Sequence, residues 1–457
     1  MPMDMNLIKT IIVVMMENRS FDHMLGYLSL PPYNRQNVEG LRIDPGWQDK
    51  VANTHNGKRF PPFLLKDPYD LIDADPPHER DQIALQMGTL VNGKFPMDGF
   101  VTSYATAKGA KSLTLENPPP VMGYFTPEQV PVTDFFAQKF AVCDHWFSSL
   151  PAGTQPNRLV AMSGSSIIDV NQKILPEQDL VYDWLTKNGI RWRVYHDVMP
   201  FFAMMPKWIP DIIREDHFRP FGNFLNDVEN ERPNQFPQVI FIEPAYTDAP
   251  HIGPSNDDHA PSAIKGGQTF LLEIYRCVTS YRDIWNGTVM IVTYDEHGGF
   301  FDDLSPPFIR TDPPAGAHYS RAFETLGVRV PAFVISPFVE PKTGFNRCLD
   351  HTSILKFIGQ KFGKQGSYSD VVDARTVGSV LDVLNAPNSK RKAAVIPSLE
   401  EYLKKQPRSA GFIQGSEPDT PLQKGFQIAL DAIRKDPNKP IKTYGDLLDK
   451  FPHRPGI

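Results

Sequence analysis

The sequence predicts an α/β protein built on a mainly parallel central sheet flanked by helices. Short, β-branched apolar runs at residues 7–16, 238–242, Thr288–Tyr294 and 328–335 carry almost no polar interruption, as strands buried on both faces do. Stretches with helical periodicity at 267–280 and Thr352–Phe362 alternate with them, the order of a parallel sheet covered by helices. Two acidic segments, Glu17-Asn18-Arg19-Ser20-Phe21-Asp22-His23 and Asp295-Glu296-His297-Gly298-Gly299, each follow such a run directly. Open α/β sheets place their ligands at that end of the strands.

Taken in order, 7–16 reads as a central parallel strand. Residues from about 31 to 125 are dominated by Pro, Gly, Asn and Asp, with one convincing helix near 77–90, and read as a cap inserted over the site. Residues 126–140 fit a helix and 141–147 a strand. That strand leads into a loop at 148–158 with the sequence Pro151-Ala152-Gly153-Thr154-Gln155-Pro156-Asn157-Arg158. A strand at 191–195 ends on His196-Asp197, and 238–242 is followed by Glu243-Pro244 and a polar loop to Pro261. Beyond about residue 377 lie three amphipathic candidates, 398–405, 422–435 and 444–451. The domain reading is therefore 1–376 as the main body and 377–457 as a helical extension.

At 457 residues the chain can bury a large core, and 41% hydrophobic with 22% charged residues is a globular composition. The formal charge of −6 and the dispersed Lys and Arg speak against a nucleic-acid partner. The 44 Pro residues, many in pairs, imply numerous ordered loops. Cys143, Cys277 and Cys348 are too few and too scattered for a disulfide framework or a thiolate metal site, and buried free thiols are expected. No apolar run approaches the roughly 20 residues of a spanning helix. The start lacks a basic leader with a small-residue cleavage site, so the expectation is either a cytoplasmic protein or an exported one with its leader removed.

Glu17, Asn18, Asp295 and Glu296 supply three carboxylates and an amide from two strand ends, a donor set for a hard divalent cation. Each segment alone reads equally well as a helix cap or a solvated turn; their shared position after buried strands favours a joint site. Gly298-Gly299 permits positive φ or close backbone approach beside the carboxylates. Thr154, between Pro151 and Pro156, is a candidate nucleophile, although a turn Thr more often bonds local backbone. His78, His196 and His259 stand in loops or at element ends, where they are placed to donate to an anionic oxygen or protonate a leaving group; solvated or capping roles are the plainer alternative. His145 is expected to pack beneath the Thr154 loop, and His351 to mark a helix start.

The ordered motifs Glu17 to His23, Asp144-His145-Trp146-Phe147, Gly153 to Arg158, Asp257-Asp258-His259, Thr293 to Asp302 and Asp350 to Leu355 together resemble one family. It comprises the bacterial phosphoesterases that include phospholipases C and a respiratory-burst-inhibiting acid phosphatase, with plant non-specific phospholipases C as relatives. The resemblance spans about residues 7 to 362. It implies an alkaline-phosphatase-like three-layer core and hydrolysis of phosphoesters at a metal centre. Glu17, Asn18, Thr154, Asp295 and Glu296 would hold a divalent cation (Ca²⁺, Mg²⁺, Mn²⁺ or Zn²⁺), and Thr154 would be the nucleophile. Asn18, His78, His196 and His259 would face the substrate. The chain departs from the bacterial pattern at Ala152-Gly153-Thr154, where many members have Gly-Pro-Thr, and at Asp302-Asp303, where an Asp-His pair is frequent.

The implied substrate is a phosphoester, with phospholipid at a membrane surface as one candidate and a soluble phosphomonoester as the other. For the lipid case, Phe201, Phe202, Met204, Met205 and Trp208 offer an apolar entrance surface; core packing is the equal alternative. A non-catalytic metal-stabilised binding protein is the competing class. A sulfatase-like hydrolase would need a Cys or Ser in a Cys/Ser-x-Pro-x-Arg setting, which no Cys here has.

Overall fold

The computed structural model describes residues 3–65, 74–232, 234–250, 255–386, 391–399, 402, 420–435, 446, 449 and 450. The main sheet contains β1 (Thr10–Met16), β2 (Ala141–Val142), β3 (Trp192–His196), β4 (Phe218–Pro220), β5 (Val239–Glu243), β6 (Thr288–Tyr294), β7 (Ala332–Ile335) and β8 (Thr343–Gly344). Their spatial order is β8-β2-β7-β6-β1-β5-β3-β4. The run from β6 to β4 is parallel throughout, and β7 enters antiparallel between β6 and β2. Every residue of β1 and β6 is buried, which is why neither strand alternates in polarity. Register pairs Met16 with Tyr294, so the residues that follow, Glu17 and Asp295, emerge side by side.

Helices α1 (Arg80–Met87), α2 (Pro131–Lys139), α3 (Thr154–Ser163), α4 (Lys265–Ser280), α5 (Thr352–Phe362) and α6 (Pro421–Arg434) accompany the sheet. Here α3 packs on α5, and α2 packs on both α4 and β7. The segment expected to be one strand at 141–147 divides at Cys143-Asp144-His145, and its second half, Trp146–Phe147, pairs with Leu349–Asp350 in a separate ribbon. The expected loop at 148–158 ends early. Thr154 is the first residue of α3, and Pro156 falls in the first turn, where a missing N–H costs nothing.

The loop-rich segment buries Ile83, Met87, Phe100 and Tyr104 in a second apolar cluster that takes in Phe300 and Phe301, tying it to the chain after Gly299. In the C-terminal region, α6 matches the expected 422–435 and buries Leu422, Phe426, Leu430 and Ile433 in the main core. The candidates at 398–405 and 444–451 lie largely outside the described residues. Phe201, Phe202, Met204, Met205 and Trp208 are all buried in that core, so they are packing residues and not an exposed entrance. Cys143, Cys277 and Cys348 are free thiols. No helix among the described residues is long and apolar enough to cross a membrane.

A fully buried guanidinium, Arg329, joins the two ends of the fold that flank the site. Its Nε donates to Asp302 Oδ1 at 3.0 Å and a terminal nitrogen to Asp22 Oδ1 at 3.1 Å, while the other terminal nitrogen reaches the carbonyls of Glu39 and Asp144. Burial pushes the Asp302 carboxyl up to about 6 against the pull of Arg329, and raises Asp22 as well. Removing the cation would leave these carboxyls buried and uncompensated. Arg329→Leu is expected to cost about 3–5 kcal/mol of stability, read as a lowered denaturant midpoint at neutral pH.

Candidate active site

The site grows from the ends of β1 and β6. Glu17 leaves β1 buried, and Asn18 follows with φ 60°, a left-handed conformation that Asn tolerates better than most residues. The Asn18 amide donates to Asp295 Oδ1 at 3.2 Å, locking the two strand ends together. Neither Glu17 nor Asn18 caps the next helix; Ser20 does, accepting from the His23 amide at 3.4 Å. Asn18 Oδ1 accepts from the Thr154 hydroxyl at 3.5 Å, and Asn18 Nδ2 faces His78 Nε2 at 3.3 Å.

Thr154 is completely buried at the N-terminus of α3, whose dipole favours an anion, although the Gln155 amide is taken by Asn171 Oδ1 at 2.9 Å and Pro156 has none. One helical turn on, Arg158 projects from the same face. Its Nε donates to Asp295 Oδ2 at 3.0 Å, and a terminal nitrogen lies 3.2 Å from Glu17 Oε1 and also reaches the carbonyls of Met15 and Met16. Burial raises the carboxyls of both Glu17 and Asp295, with Arg158 opposing the rise in each.

His259 Nδ1 lies 3.2 Å from Glu17 Oε2, and its Nε2 lies 3.3 Å from Asp75 Oδ1. Burial alone would depress this imidazole, but Asp75 and Glu17 hold it well above the usual histidine range. His78 shares Asp75, at 3.7 Å, and stands edge-on to His259 with ring centroids 5.6 Å apart. Burial would lower His78 too; Glu296 and Asp75 lift it to about 9. The neighbouring carboxylates favour the charged form of both rings. His196 differs: it ends β3, two strands from β1, in register with Glu243, and burial lowers it to about 3. His145 is not beneath Thr154; it sits part-exposed, 3.1 Å from Glu39 Oε2. His351 stands at the start of α5 as expected, and its Nε2 reaches the Asp295 carbonyl at 2.6 Å.

The two glycines after Glu296 are required by contact. A Cβ at Gly298 (φ 62°) would stand 2.2 Å from the Asn18 carbonyl oxygen, and one at Gly299 (φ 73°) would meet Pro76 and the Pro77 carbonyl. The second approach lets the Pro76-Pro77-His78 segment close on the site. Gln86 of α1 holds both sides, with Oε1 on His297 Nε2 at 2.8 Å and Nε2 on the Pro77 carbonyl at 2.6 Å.

Hydrogen-bond satisfaction separates the buried carboxylates. Asp257 accepts from the Thr247 amide and hydroxyl and from the His259 amide. Asp295 accepts from Asn18, Glu296 and Arg158. By contrast, both oxygens of Glu17 and Oε1 of Glu296 are buried with no hydrogen-bond partner. Such oxygens fit a cation. Among the described residues, the groups that bring ligand atoms within 4.8 Å of one another are Glu17–Asp257–His259, Asp75–His78–His259 and Asp22–Asp302–Asp303. Glu17, Asp295 and Glu296 are not such a group: the Arg158 guanidinium lies on Glu17 and Asp295, and His78 and His297 draw Glu296. Sequence reasoning assigned no role to Arg158, Asp75 or Asp248. The four-residue step from Thr154 to Arg158 was the available signal for the first; nothing local marks the other two.

A buried hydroxyl at a helix start, strand-end carboxylates with unmet acceptors and two imidazoles paired with carboxylates thus occupy the same end of the sheet. The chain matches the Phosphoesterase family over residues 8–364 and belongs to it. Among its relatives is "Non-specific phospholipase C3" of Arabidopsis thaliana, 34% identical over 74% of this chain and 64% of that protein. "Non-specific phospholipase C6" of the same plant is 31% identical over 84% and 74%. "Phospholipase C B" of Mycobacterium tuberculosis is 27% identical over 83% and 78%. The chain thus spans less than two thirds of the length of the C3 relative. A solved phosphonate monoester hydrolase of Agrobacterium radiobacter is similar at 12% identity over 56% of this chain and 72% of its own, with a TM-score of 0.32.

The close approach at Gly298 makes a paired test. Gly298→Ala is expected to cost at least about 1–3 kcal/mol and to weaken Mg²⁺ or Ca²⁺ binding in calorimetric titration. Gly57→Ala has a similar φ of 72° but open space around it; it should lose about 1 kcal/mol and keep its cation affinity.

Proposed function

We propose that this chain hydrolyses phosphoesters through Thr154, and that its substrates are phosphodiesters of the kind a phospholipase C cleaves. The observation that carries the reading is the buried Thr154 hydroxyl donating to Asn18 Oδ1 at 3.5 Å, next in the chain to Glu17, whose two carboxylate oxygens have no hydrogen-bond partner. A divalent cation would be held by Asn18 and the unmet oxygens of Glu17 and Glu296, Asp295 being taken up by Arg158 and two amides, and it would stabilise the Thr154 alkoxide and offset charge on the phosphoryl group. Oxygen donors suit Ca²⁺, Mg²⁺ or Mn²⁺.

The protein's own groups then have distinct tasks. Thr154 first releases its hydroxyl proton to solvent and stands as the alkoxide between turnovers; its Oγ attacks phosphorus in line, forming the P–Oγ bond as the bond to the leaving alcohol breaks. His259, charged and pointed at the pocket by Glu17 and Asp75, gives its proton to the departing oxygen. His78 and the α3 N-terminus stabilise the equatorial phosphoryl oxygens. Water next attacks the phosphothreonine, its proton passing to His259 as the P–Oγ bond breaks and Thr154 is restored. His196 enters only as a neutral hydrogen-bonding group, because burial keeps it uncharged. Arg158 positions Glu17 and Asp295 without touching substrate. We further take residues 1–376 as the catalytic body and 377–457 as an extension whose helix α6 docks on it.

One observation favours small, soluble phosphomonoesters as an alternative: the apolar residues 201–208 that would greet a lipid are buried. Hydrolysis of phosphatidylcholine, an aryl phosphocholine and a plain aryl phosphate by purified protein separates the two substrates, and inactivity on all three with intact cation binding would leave the binding-protein reading. Thr154→Val is expected to keep its fold and its calorimetric cation binding while kcat falls by about three orders of magnitude or more. Hydrolysis near the original rate would remove Thr154 from its role.

A further inference from the structure

The mouth of the site contains a carboxylate that the chemistry above does not use. A cavity of 270 Å³ opens beside His78 and His259 and is also lined by Asp75, Glu79 and Asp248, with the start of α6 as one wall. Two of those three carboxylates are engaged. Asp75 serves both imidazoles. Asp248 accepts from the Thr420 hydroxyl at 3.2 Å and faces His259 Nδ1 at 3.7 Å. Glu79 has only one long contact, from the Asn171 amide to Oε1 at 3.4 Å, and its Oε2 is buried with no hydrogen-bond partner. The neighbouring Arg80 does not answer it, being paired with Asp169 at 2.8 Å.

Glu79 also sits against the nucleophile's own turn. A Cβ at Gly153, the residue before Thr154, would stand 3.2 Å from Glu79 Oε2 and 3.2 Å from Asn171 Nδ2. A proline at that position would crowd the carboxylate; the glycine admits it. The residue before Thr154 therefore lies against a carboxylate whose Oε2 has no hydrogen-bond partner, on the wall of the cavity that His78 and His259 also line. No Lys, Arg, Phe, Tyr or Trp lines the cavity among the described residues.

We propose that Glu79 is a specificity-determining residue that binds a primary ammonium on the alcohol retained with the phosphate, so that the preferred substrates are phosphodiesters of an amino alcohol such as ethanolamine. The inference rests on the phosphodiesterase reading and names its headgroup. A primary ammonium offers N–H donors that a carboxylate accepts in charge-assisted bonds. A quaternary ammonium has none and is recognised chiefly by aromatic faces, which the described residues of this wall do not supply. The volume supports a headgroup of a few heavy atoms, being below the roughly 300–1,000 Å³ of pockets for drug-sized ligands. An acyl chain must lie elsewhere.

The test compares p-nitrophenyl esters of phosphoethanolamine, phosphocholine and methyl phosphate on the full chain and on Glu79→Gln. The expected result is a kcat/KM for the ethanolamine ester about tenfold or more above the other two, collapsing to within about threefold of them in the variant. Equal values in the unaltered chain, a choline preference, or an equal loss on all three esters in Glu79→Gln would overturn the proposal. Calorimetric binding of O-phosphoethanolamine against O-phosphocholine gives a readout independent of turnover. Tighter binding of the ethanolamine compound, lost in Glu79→Gln, supports the headgroup site even if no ester is cleaved, in which case the phosphodiesterase reading alone fails. Equal binding of the two compounds counts against Glu79.

Discussion

Two neighbouring parallel strands deliver carboxylates to the same edge of the sheet, and most of the structure around the site answers the charge this creates. The register that pairs Met16 with Tyr294 leaves Glu17 and Asp295 adjacent and buried, with Glu296 immediately after. Like charges at such distance in a low dielectric are costly. Arg158 bridges the first two, His259 meets Glu17, and His78 and His297 draw Glu296 below the usual carboxylate range despite its burial. The carboxylates favour the charged form of His78 and His259. The same electrostatics that makes the strand ends foldable supplies the cations that would face a phosphoryl group.

Buried guanidiniums also divide the work of fastening loops to the sheet. Arg19 sends Nε to the Asp258 carbonyl at 2.7 Å and a terminal nitrogen to His23 at 3.0 Å, and lies over Phe300. It joins the segment after β1 to the loop bearing His259. Arg329 joins Asp22 to Asp302, and Arg158 joins α3 to β1 and β6. Each planar fork spans segments far apart in sequence, which is the property that separates Arg from Lys at buried sites. The acidic motif after β1 is therefore more than a ligand loop: within seven residues Glu17 and Asn18 face the site while Arg19, Ser20, Asp22 and His23 hold its walls.

The sheet was legible because fully buried parallel strands show as uninterrupted apolar runs, and β1, β6, α4 and α5 lie within a few residues of their expected bounds. The division at Cys143-Asp144-His145 was hidden: apolar residues on both sides look like one strand, and only the partner Leu349–Asp350 shows that they belong to two sheets. At 148–158 the Pro and Gly suggested a loop throughout, yet Pro156 in a first turn is compatible with a helix, and that helix aims its N-terminus at the site. Thr154-Gln155-Pro156-Asn157-Arg158 in fact keeps the x-Pro-x-Arg spacing considered for sulfatases, with Thr in the first place, and both ends of that pentapeptide reach the strand-end residues. His145 lies away from its expected place, and the 201–208 cluster, open in the sequence between entrance and core, is decided for packing by its burial, both for one reason: aromatic neighbours do not say which side of a strand or turn meets solvent. Asp75 and Asp248 carried no local pattern, since tertiary contacts alone bring them to His259.

The buried acids around the site are treated unequally by the chain's own donors. Folding leaves a carboxylate without donors only when something else offsets it or the fold tolerates the cost. Asp257 and Asp295 are supplied with amides, hydroxyl or guanidinium, so each is complete within the chain. Glu17 and Glu296 are drawn near cationic side chains, yet Glu17 keeps both oxygens and Glu296 keeps Oε1 free of any hydrogen bond. A site built only to be stable would have satisfied them, as Arg329 satisfies Asp302 nearby with two contacts. The unmet acceptors lie beside Asn18, whose amide oxygen already accepts from Thr154. A positive ion beside those oxygens, as proposed, would offset charge that the chain itself leaves without a hydrogen-bond donor.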